Sequence, residues 1–111
     1  METNNAESSL KERVLEMVAQ IPAGKVMYFG QISNMVGGSA RTVGWILSGL
    51  TLEECDLVPW YRVVAKSGYI SSLKLGIKGV VQKEKLEQEG YELKDDFVDM
   101  EKHLWLIEQL N

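Results

Sequence analysis

The feature that most constrains the fold is the stretch at residues 58–64, where a proline and two aromatic residues precede an arginine and two valines. Pro59 has a fixed φ and keeps the residue before it extended, and the two valines favour a strand. The stretch therefore predicts a loop that enters a buried strand, with Trp60 and Tyr61 presented where the strand begins. An aromatic pair in this position is compatible with a hydrophobic core and with a binding site, and other segments must decide between them.

Helical periodicity predicts a helix-turn-helix motif upstream of this stretch. Apolar residues recur at helical spacing over residues 29–36 and again over residues 43–50. Gly37 and Gly38 lie between the two helices and can adopt positive φ without steric penalty. Ser39 is a suitable N-cap for the second of these helices. Two short helices joined by a tight glycine turn are typical of the motif.

The segments on either side of the motif predict two further helices. A capping box at Ser9 and Glu12 is expected to begin the first helix of the chain, which ends before Pro22. Residues 51–57 are expected to form a polar connection. A later helix is expected at residues 80–89, where apolar residues again recur at helical spacing.

The β-structure is expected to be a short wing. A turn at residues 66–68 predicts a hairpin between residues 62–64 and residues 69–70. Residues 71–79 are expected to form a small basic loop, of the kind that carries function on a rigid scaffold. The predicted fold is therefore mainly α with a short β wing, that is, a winged helix-turn-helix.

Three regions are expected along the chain. Residues 1–9 are expected to be a flexible or disordered N-terminus. Residues 10–93 are expected to form one winged helix-turn-helix domain. Residues 94–111 are expected to form an acidic C-terminal tail, whose last apolar residues favour a short helix packed on the domain.

The composition is that of an ordinary globular protein, with 45% apolar and 25% charged residues. No apolar run approaches the length of a membrane span. Cys55 is the only cysteine and His103 the only histidine, which excludes an internal disulfide and argues against a metal site. We expect no cofactor, no metal and no membrane partner, and a location in the cytoplasm, at the nucleoid, or in the nucleus of a eukaryote.

The net charge of −4 argues at first sight against a nucleic-acid partner. Residues 91–111, however, carry the whole net charge of −4, whereas residues 17–52 and 57–83 contain no Asp or Glu. These acid-free segments are compatible with a positive face on a neutral body. The alternative is that the charges scatter over the surface once the chain folds.

Several short motifs resemble the DNA-binding domain of the O6-alkylguanine-DNA alkyltransferases, over roughly residues 10–93. They are Ile-Pro-Ala-Gly-Lys-Val at residues 21–26, the glycine turn, Ala-Arg-Thr-Val-Gly at residues 40–44, the Pro-x-x-Arg-Val-Val stretch, and Leu-Glu-Gln-Glu-Gly at residues 86–90. In the active enzymes the central stretch is Pro-Cys-His-Arg-Val, and its cysteine takes the alkyl group. Trp60 stands at that position here, as in the alkyltransferase-like proteins, which bind alkylated guanine without repairing it.

The resemblance implies a binding protein rather than an enzyme, with no catalytic residue. Alkyl transfer requires a thiolate that a neighbouring base activates. Tyr61 replaces the family's histidine and is not a base near neutral pH. Glu89 matches the family's glutamate and is expected to act structurally, through hydrogen bonds near the end of its helix. The spacing of Cys55 from Trp60 does not make it a displaced nucleophile.

The resemblance also implies which residues contact DNA. The family inserts the second helix of the motif into the minor groove, flips the target nucleotide, and fills the vacated stack with an arginine that Arg41 matches. The expected DNA contacts are Tyr28, Phe29, Ser39, Arg41 and Thr42. The expected lesion pocket consists of Pro59, Trp60, Tyr61, Arg62, Ser71 and Ser72. Either serine of the last pair is a possible hydrogen-bonding partner of the base.

The leading hypothesis is a monomeric, non-enzymatic sensor that binds O6-alkylguanine in double-stranded DNA and flags it for nucleotide excision repair proteins. Phe29, Trp45 and Leu50 stand where the family has a tyrosine, a small or flexible residue, and an asparagine. These differences keep open a winged-helix module that binds DNA or protein without lesion specificity. A residual alkyltransferase that uses Cys55 is the remaining alternative.

Overall fold

The computed structural model describes residues 6–107, and the first half of this range is dominated by three packed helices. These are α1 (Ala6–Ala19), α2 (Phe29–Val36) and α3 (Ala40–Ser48). Apolar side chains from each helix meet in one core cluster, in which Val14, Ile32 and Val43 are fully buried. Each such burial stabilises the fold by about 1.5–3 kcal/mol. The predicted bounds of the helix at residues 29–36 are confirmed.

The turn between α2 and α3 has the geometry that its glycines predict. Gly37 and Gly38 have φ values of 112° and 78°, and the Gly37 N–H donates a 2.8 Å hydrogen bond to the Ser33 carbonyl. Ser39 is the N-cap of α3, because its hydroxyl accepts the Thr42 N–H at 3.1 Å. The predicted helix-turn-helix motif and its N-cap are confirmed.

The central stretch enters a buried strand, as predicted, but the strand has a different partner. A single 3-10 turn (Trp60–Arg62) leads into β2 (Val63–Val64), which pairs in parallel with β1 (Met27–Tyr28). The predicted pairing of β2 with residues 69–70 is wrong. Val63 belongs to the core cluster of the first three helices and Val64 to a second cluster, so β2 is buried on both faces and cannot be an exposed wing.

The second core cluster lies under the C-terminal half of the described chain. The elements here are a 3-10 helix (Ser71–Leu75), α5 (Ile77–Gln88), β3 (Leu93–Lys94), β4 (Phe97–Val98) and α6 (Met100–His103). The predicted turn forms, with the Gly68 N–H bonded to the Ala65 carbonyl at 2.8 Å. Tyr69 then forms an antiparallel bridge with Phe97 of the β3–β4 hairpin. The small β-structure of this half is therefore built largely from residues that were predicted to form the tail.

Several element bounds differ from the prediction. Helix α1 begins at Ala6, so Ser9 lies inside the helix and is not its N-cap, and the boundary expected at residue 9 is not observed. Residues 1–5 lie outside the described residues. The expected polar connection is a short helix, α4 (Leu52–Leu57), and α5 begins at Ile77 rather than at residue 80. A capping box marks the start of α4, since Thr51 and Glu54 bond to each other's backbone N–H at 3.1 and 2.9 Å.

Residues 94–107 are part of the fold rather than an appended tail. The Trp105 N–H donates to the Val26 carbonyl at 2.8 Å, and Leu104 forms a parallel bridge with Val26. His103 is buried, with its Nδ1 atom 2.7 Å from the Gly24 carbonyl and its Nε2 atom accepting the Glu92 N–H. The helix in this region is α6, and residues 104–107 are not helical. Residues 108–111, including Leu110 of the predicted packed helix, lie outside the described residues.

Candidate nucleic-acid interface

A cavity of about 500 Å³ lies between α3, the turn at Trp60 and the start of α5. Its size is typical of a site for a small molecule or a single base, about 300–1,000 Å³. The lining residues are Phe29, Ala40, Arg41, Gly44, Trp45, Leu47, Ser48, Trp60, Val63, Ser71, Ser72, Lys74, Lys78 and Gln82. The cavity is thus open beside the second helix of the helix-turn-helix motif.

The structure brings together five of the residues predicted from the sequence. Phe29, Arg41, Trp60, Ser71 and Ser72 all line the cavity. They come from four separate elements, namely α2, α3, the 3-10 turn and the Ser71–Leu75 helix, which surround one space. One tryptophan, two serines and the arginine of α3 therefore border the same space, and their role in binding stays a prediction.

Trp60 forms an inner wall of the cavity. The 3-10 turn after Pro59 directs its side chain inward, where it is 7% exposed. Its ring meets the Tyr61 ring edge-to-face, with the centroids 6.0 Å apart. A large aromatic surface of this kind is suited to stacking on a base.

Pro59, Tyr61 and Arg62, which the resemblance assigns to the pocket, do not line the cavity. The Tyr61 hydroxyl points the other way and donates to the Glu89 carboxylate at 2.6 Å. Arg62 binds the same carboxylate through Nε and Nη2, and its Nη1 donates to the Ile21 carbonyl at 2.8 Å. Tyr61 and Arg62 do not reach the cavity because consecutive residues in the 3-10 turn point in different directions. Of the residues in this turn, only Trp60 faces inward.

Glu89 has the structural role expected for it. Burial alone would raise the pKa of Glu89, but hydrogen bonds from Arg62 and Tyr61 outweigh that effect and lower it. Burial, and then the hydrogen bond to Glu89, raise the pKa of Tyr61. Tyr61 therefore keeps its proton and serves as a donor that fastens the end of α5 to the central stretch.

Gln82 is a buried polar residue that the sequence analysis missed. It is 3% exposed, and its Nε2 donates to the carbonyls of Tyr61 and Val63, each at 3.0 Å. Its Oε1 accepts a hydrogen bond from the Ser72 hydroxyl. One amide thus ties the Trp60 wall to the serine-bearing segment. The only signal in the sequence was a polar residue at an inward position of a predicted helix.

The two serines are not equivalent. The single hydroxyl proton of Ser72 is used by Gln82, so Ser72 can only accept a hydrogen bond from a ligand. The Ser71 hydroxyl has no hydrogen-bond partner within residues 6–107 and lines the same cavity. Ser71 is therefore the residue of the pair that can donate to a bound base.

The mouth of the cavity carries Arg41 and Trp45 of α3. Both side chains are exposed, Trp45 to 67%, and the Arg41 guanidinium carbon lies 6.0 Å from the centroid of the Trp45 ring. Ser39 and Thr42 are engaged with each other through the N-cap and a 3.0 Å contact between their hydroxyls. Ser39, Thr42 and Tyr28 are next to lining residues in the sequence, but their own side chains do not line the cavity.

Lys74 and Lys78 were expected only as part of a basic segment, and the structure places both on the cavity lining. Lys78 donates from Nζ to the carbonyls of Leu47 and Ser48, at 3.1 and 3.4 Å. These carbonyls are at the C-terminus of α3, where a cation is favoured by the helix dipole. The contact fixes the ammonium 5.1 Å from the centroid of the Trp60 ring.

Reactive and metal-binding groups do not gather at this site in the part of the chain that the structure describes. Cys55 lies on α4 and does not line the cavity. The described residues contain no cluster of three or more His, Cys, Asp or Glu side chains that could hold a metal ion. Among the same residues, no helix has the length and apolar character needed to cross a membrane.

The fold and the cavity define a class of protein, a helix-turn-helix protein with a base-sized pocket behind its second helix. The family model of the 6-O-methylguanine DNA methyltransferase, DNA binding domain, matches residues 9–91, and the chain belongs to that family. The family expected from the sequence motifs is thus confirmed.

Individual relatives agree with this assignment. The chain is 36% identical over 99 residues to a DNA base-flipping protein of Vibrio parahaemolyticus, covering 84% of this chain and 92% of that protein. It is 39% identical over 83 residues to alkyltransferase-like protein 1 of Schizosaccharomyces pombe, covering 73% and 75% of the two chains. It also superposes on the S. pombe Atl1 structure in complex with damaged DNA containing O6-carboxymethylguanine, with a TM-score of 0.78, 29% identity, and coverage of 96% of this chain and all of that one.

Proposed function

We propose that this chain is a non-enzymatic sensor of O6-alkylguanine in double-stranded DNA. The observation that carries the proposal is the cavity beside α3, in which Trp60 forms the wall and Arg41 stands at the mouth. Relatives named as a DNA base-flipping protein and an alkyltransferase-like protein support the same function. The solved complex of a relative with damaged DNA supports DNA as the partner.

The chemistry of the cavity lining supports a protein that does not transfer the alkyl group. Transfer needs a thiolate next to the bound base, and the cavity lining described here contains no cysteine. Cys55 lies on α4, outside the lining. The Tyr61 hydroxyl donates a hydrogen bond to Glu89 and does not face the cavity, so it does not replace the missing base. The protein binds the lesion and leaves it unchanged.

Binding begins with α3 in the minor groove and the target nucleotide turned out of the stack. Turning out a base costs a few kcal/mol in lost stacking and pairing. Arg41, exposed in the first turn of α3, fills the gap that the base leaves. The base then stacks on Trp60, which returns about 1–3 kcal/mol. Ser71 donates a hydrogen bond to an acceptor on the base edge, and Ser72 accepts from it.

The complex then marks the lesion for other proteins. A protein that binds a lesion without removing it is useful only if its complex is recognised, and nucleotide excision repair proteins are the expected partners. The sensor acts as a monomer, because one chain carries the helix, the arginine and the pocket together. The acid-free cavity side faces the phosphates, and the acidic residues after residue 90 lie on other elements.

The proposal is tested by titrating the protein with two duplexes that are identical except for one O6-methylguanine, at one fixed salt concentration. The salt is fixed because phosphate contacts make the affinity strongly salt-dependent. Tighter binding to the lesion duplex, with no methyl group on Cys55 by mass spectrometry, is the expected result. Equal binding to both duplexes would leave only a general DNA-binding module, and methylation of Cys55 would make the protein an enzyme.

A further inference from the structure

The cavity combines apolar walls with positive charge. Arg41, Lys74 and Lys78 line it, and the lining residues that the structure describes include no Asp or Glu. Between these cations the walls are largely apolar, with Leu47, Trp60 and Val63 among the lining residues. Charges interact more strongly beside apolar walls than in water, because the effective dielectric constant is lower. A negatively charged group that enters this space therefore meets only favourable charges.

Lys78 is the cation that the structure holds in place. Its Nζ donates to the Leu47 and Ser48 carbonyls at 3.1 and 3.4 Å and lies 5.1 Å from the centroid of the Trp60 ring. An ammonium group has three donors, so one N–H is left after the two carbonyls are satisfied. Because the side chain is already ordered, little further entropy is lost when this donor meets a ligand.

We propose that Lys78 makes the cavity selective for O6-alkylguanines whose O6 substituent carries a negative charge, such as a carboxymethyl group. The inference rests on the proposed function and adds the class of lesion that the site prefers. The Lys78 ammonium lies beside the Trp60 ring, so the O6 substituent of a base that stacks on this ring can be placed within its reach. The carboxylate of the substituent accepts the remaining N–H in a charge-assisted hydrogen bond, which is about twice as strong as a neutral one.

The expected discrimination has two physical parts. An anionic substituent loses its hydration when it enters the cavity, and a fixed cation is the partner that compensates this loss. A methyl group or a neutral amide has no such requirement and gains less from the ammonium. The preference therefore depends on the charge of the substituent rather than on its size, which separates it from a simple fit of shape.

The experiment compares four duplexes that differ in one guanine: unmodified, O6-methyl, O6-carboxymethyl and O6-carbamoylmethyl. The last two have almost the same size and shape but differ in charge. At one fixed salt concentration, the wild-type protein is expected to bind the carboxymethyl duplex about tenfold more tightly than the carbamoylmethyl duplex. In Lys78→Met this ratio is expected to fall to about one, and in Lys78→Arg it is expected to persist.

Lys85→Met is the matched control. Lys85 is on the same helix, and its ammonium also lies over an aromatic ring, 5.3 Å from the centroid of Tyr61, but it does not line the cavity. This variant removes the same charge from the protein and is expected to keep the tenfold ratio. It thereby separates a contact inside the cavity from the general attraction of a positive helix to DNA.

Two results would overturn the inference. A wild-type ratio near one for the charged and neutral adducts would do so without any variant. An equal loss of affinity for all four duplexes in Lys78→Met would mean that Lys78 contacts a phosphate. Both results differ from a failure of the proposed function itself, in which the O6-methyl and unmodified duplexes would bind equally.

Discussion

Replacing the buried amide of Gln82 tests whether the cavity walls are held together as described. Gln82→Met keeps about the same volume but removes a donor from the Tyr61 and Val63 carbonyls and an acceptor from the Ser72 hydroxyl. A buried polar group left without a partner costs about 1–3 kcal/mol. Water entering the cavity can satisfy the groups that border it, whereas the bond to Val63 is buried. We therefore expect the free energy of unfolding to fall by about 2–4 kcal/mol.

The measurement is urea denaturation of the two proteins, followed by the lesion titration under native conditions. Domains of this size have a free energy of unfolding of about 5–15 kcal/mol, so the variant should still fold. Its preference for the lesion duplex should decrease more than its affinity for unmodified DNA, because the serine-bearing segment is no longer tied to the Trp60 wall. Gln88→Met, at an exposed position of the same helix, should change the unfolding free energy by less than about 0.5 kcal/mol. A loss below about 1 kcal/mol in Gln82→Met would refute the reasoning.

Two further predictions concern the arginine of α3 and a buried tyrosine. Arg41→Ala should weaken binding to a lesion duplex by about tenfold or more, since the gap in the stack is left empty. Lys66→Ala removes an exposed lysine that does not line the cavity and should have a small effect. Equal losses of affinity would contradict the role of Arg41. Burial raises the pKa of Tyr91 from 10.0 to about 12, and its hydroxyl bonds to the Lys25 carbonyl at 2.7 Å and the Gly24 N–H at 3.0 Å. At a pH between these two pKa values, the unfolded chain loses the phenol proton and the folded chain keeps it. The free energy of unfolding should therefore fall as the pH rises through this range. Tyr91→Phe should show a shallower fall in denaturation experiments over that range, and an unchanged slope would count against this assignment.

The parts of the fold that could be predicted from the sequence are those that local chemistry determines. The glycine turn and the N-cap at Ser39 depend on neighbouring residues only, and both predictions are confirmed. The parallel pairing of Met27 with Val63 joins segments far apart in the chain, and no local sequence pattern predicts it. The start of α1 was misplaced because a capping-box pattern at Ser9 also fits the inside of a helix.

The same distinction applies to the site. Trp60 and Ser71 were predicted from the family motifs, and the structure brings both to one cavity. Gln82 and Lys78 were missed, because the role of a polar side chain on a helix depends on which distant carbonyls it meets. Tyr61 was assigned to the pocket from the same family motif, but a motif does not show in which direction each side chain of a 3-10 turn points.

The bridge between Val26 and Leu104 has a consequence for how the chain folds during synthesis. Val26 takes part in two hydrogen bonds with this segment, donating to the His103 carbonyl at 2.9 Å and accepting from the Trp105 N–H at 2.8 Å. Contacts between such distant residues form late, because a long loop must close before they are made. The helix-turn-helix can therefore assemble on the ribosome well before the domain is complete. In a nascent chain stalled before residue 105 has left the exit tunnel, the backbone N–H and carbonyl of Val26 would lack these two hydrogen bonds. Resistance of the chain to protease should increase sharply once residue 105 emerges.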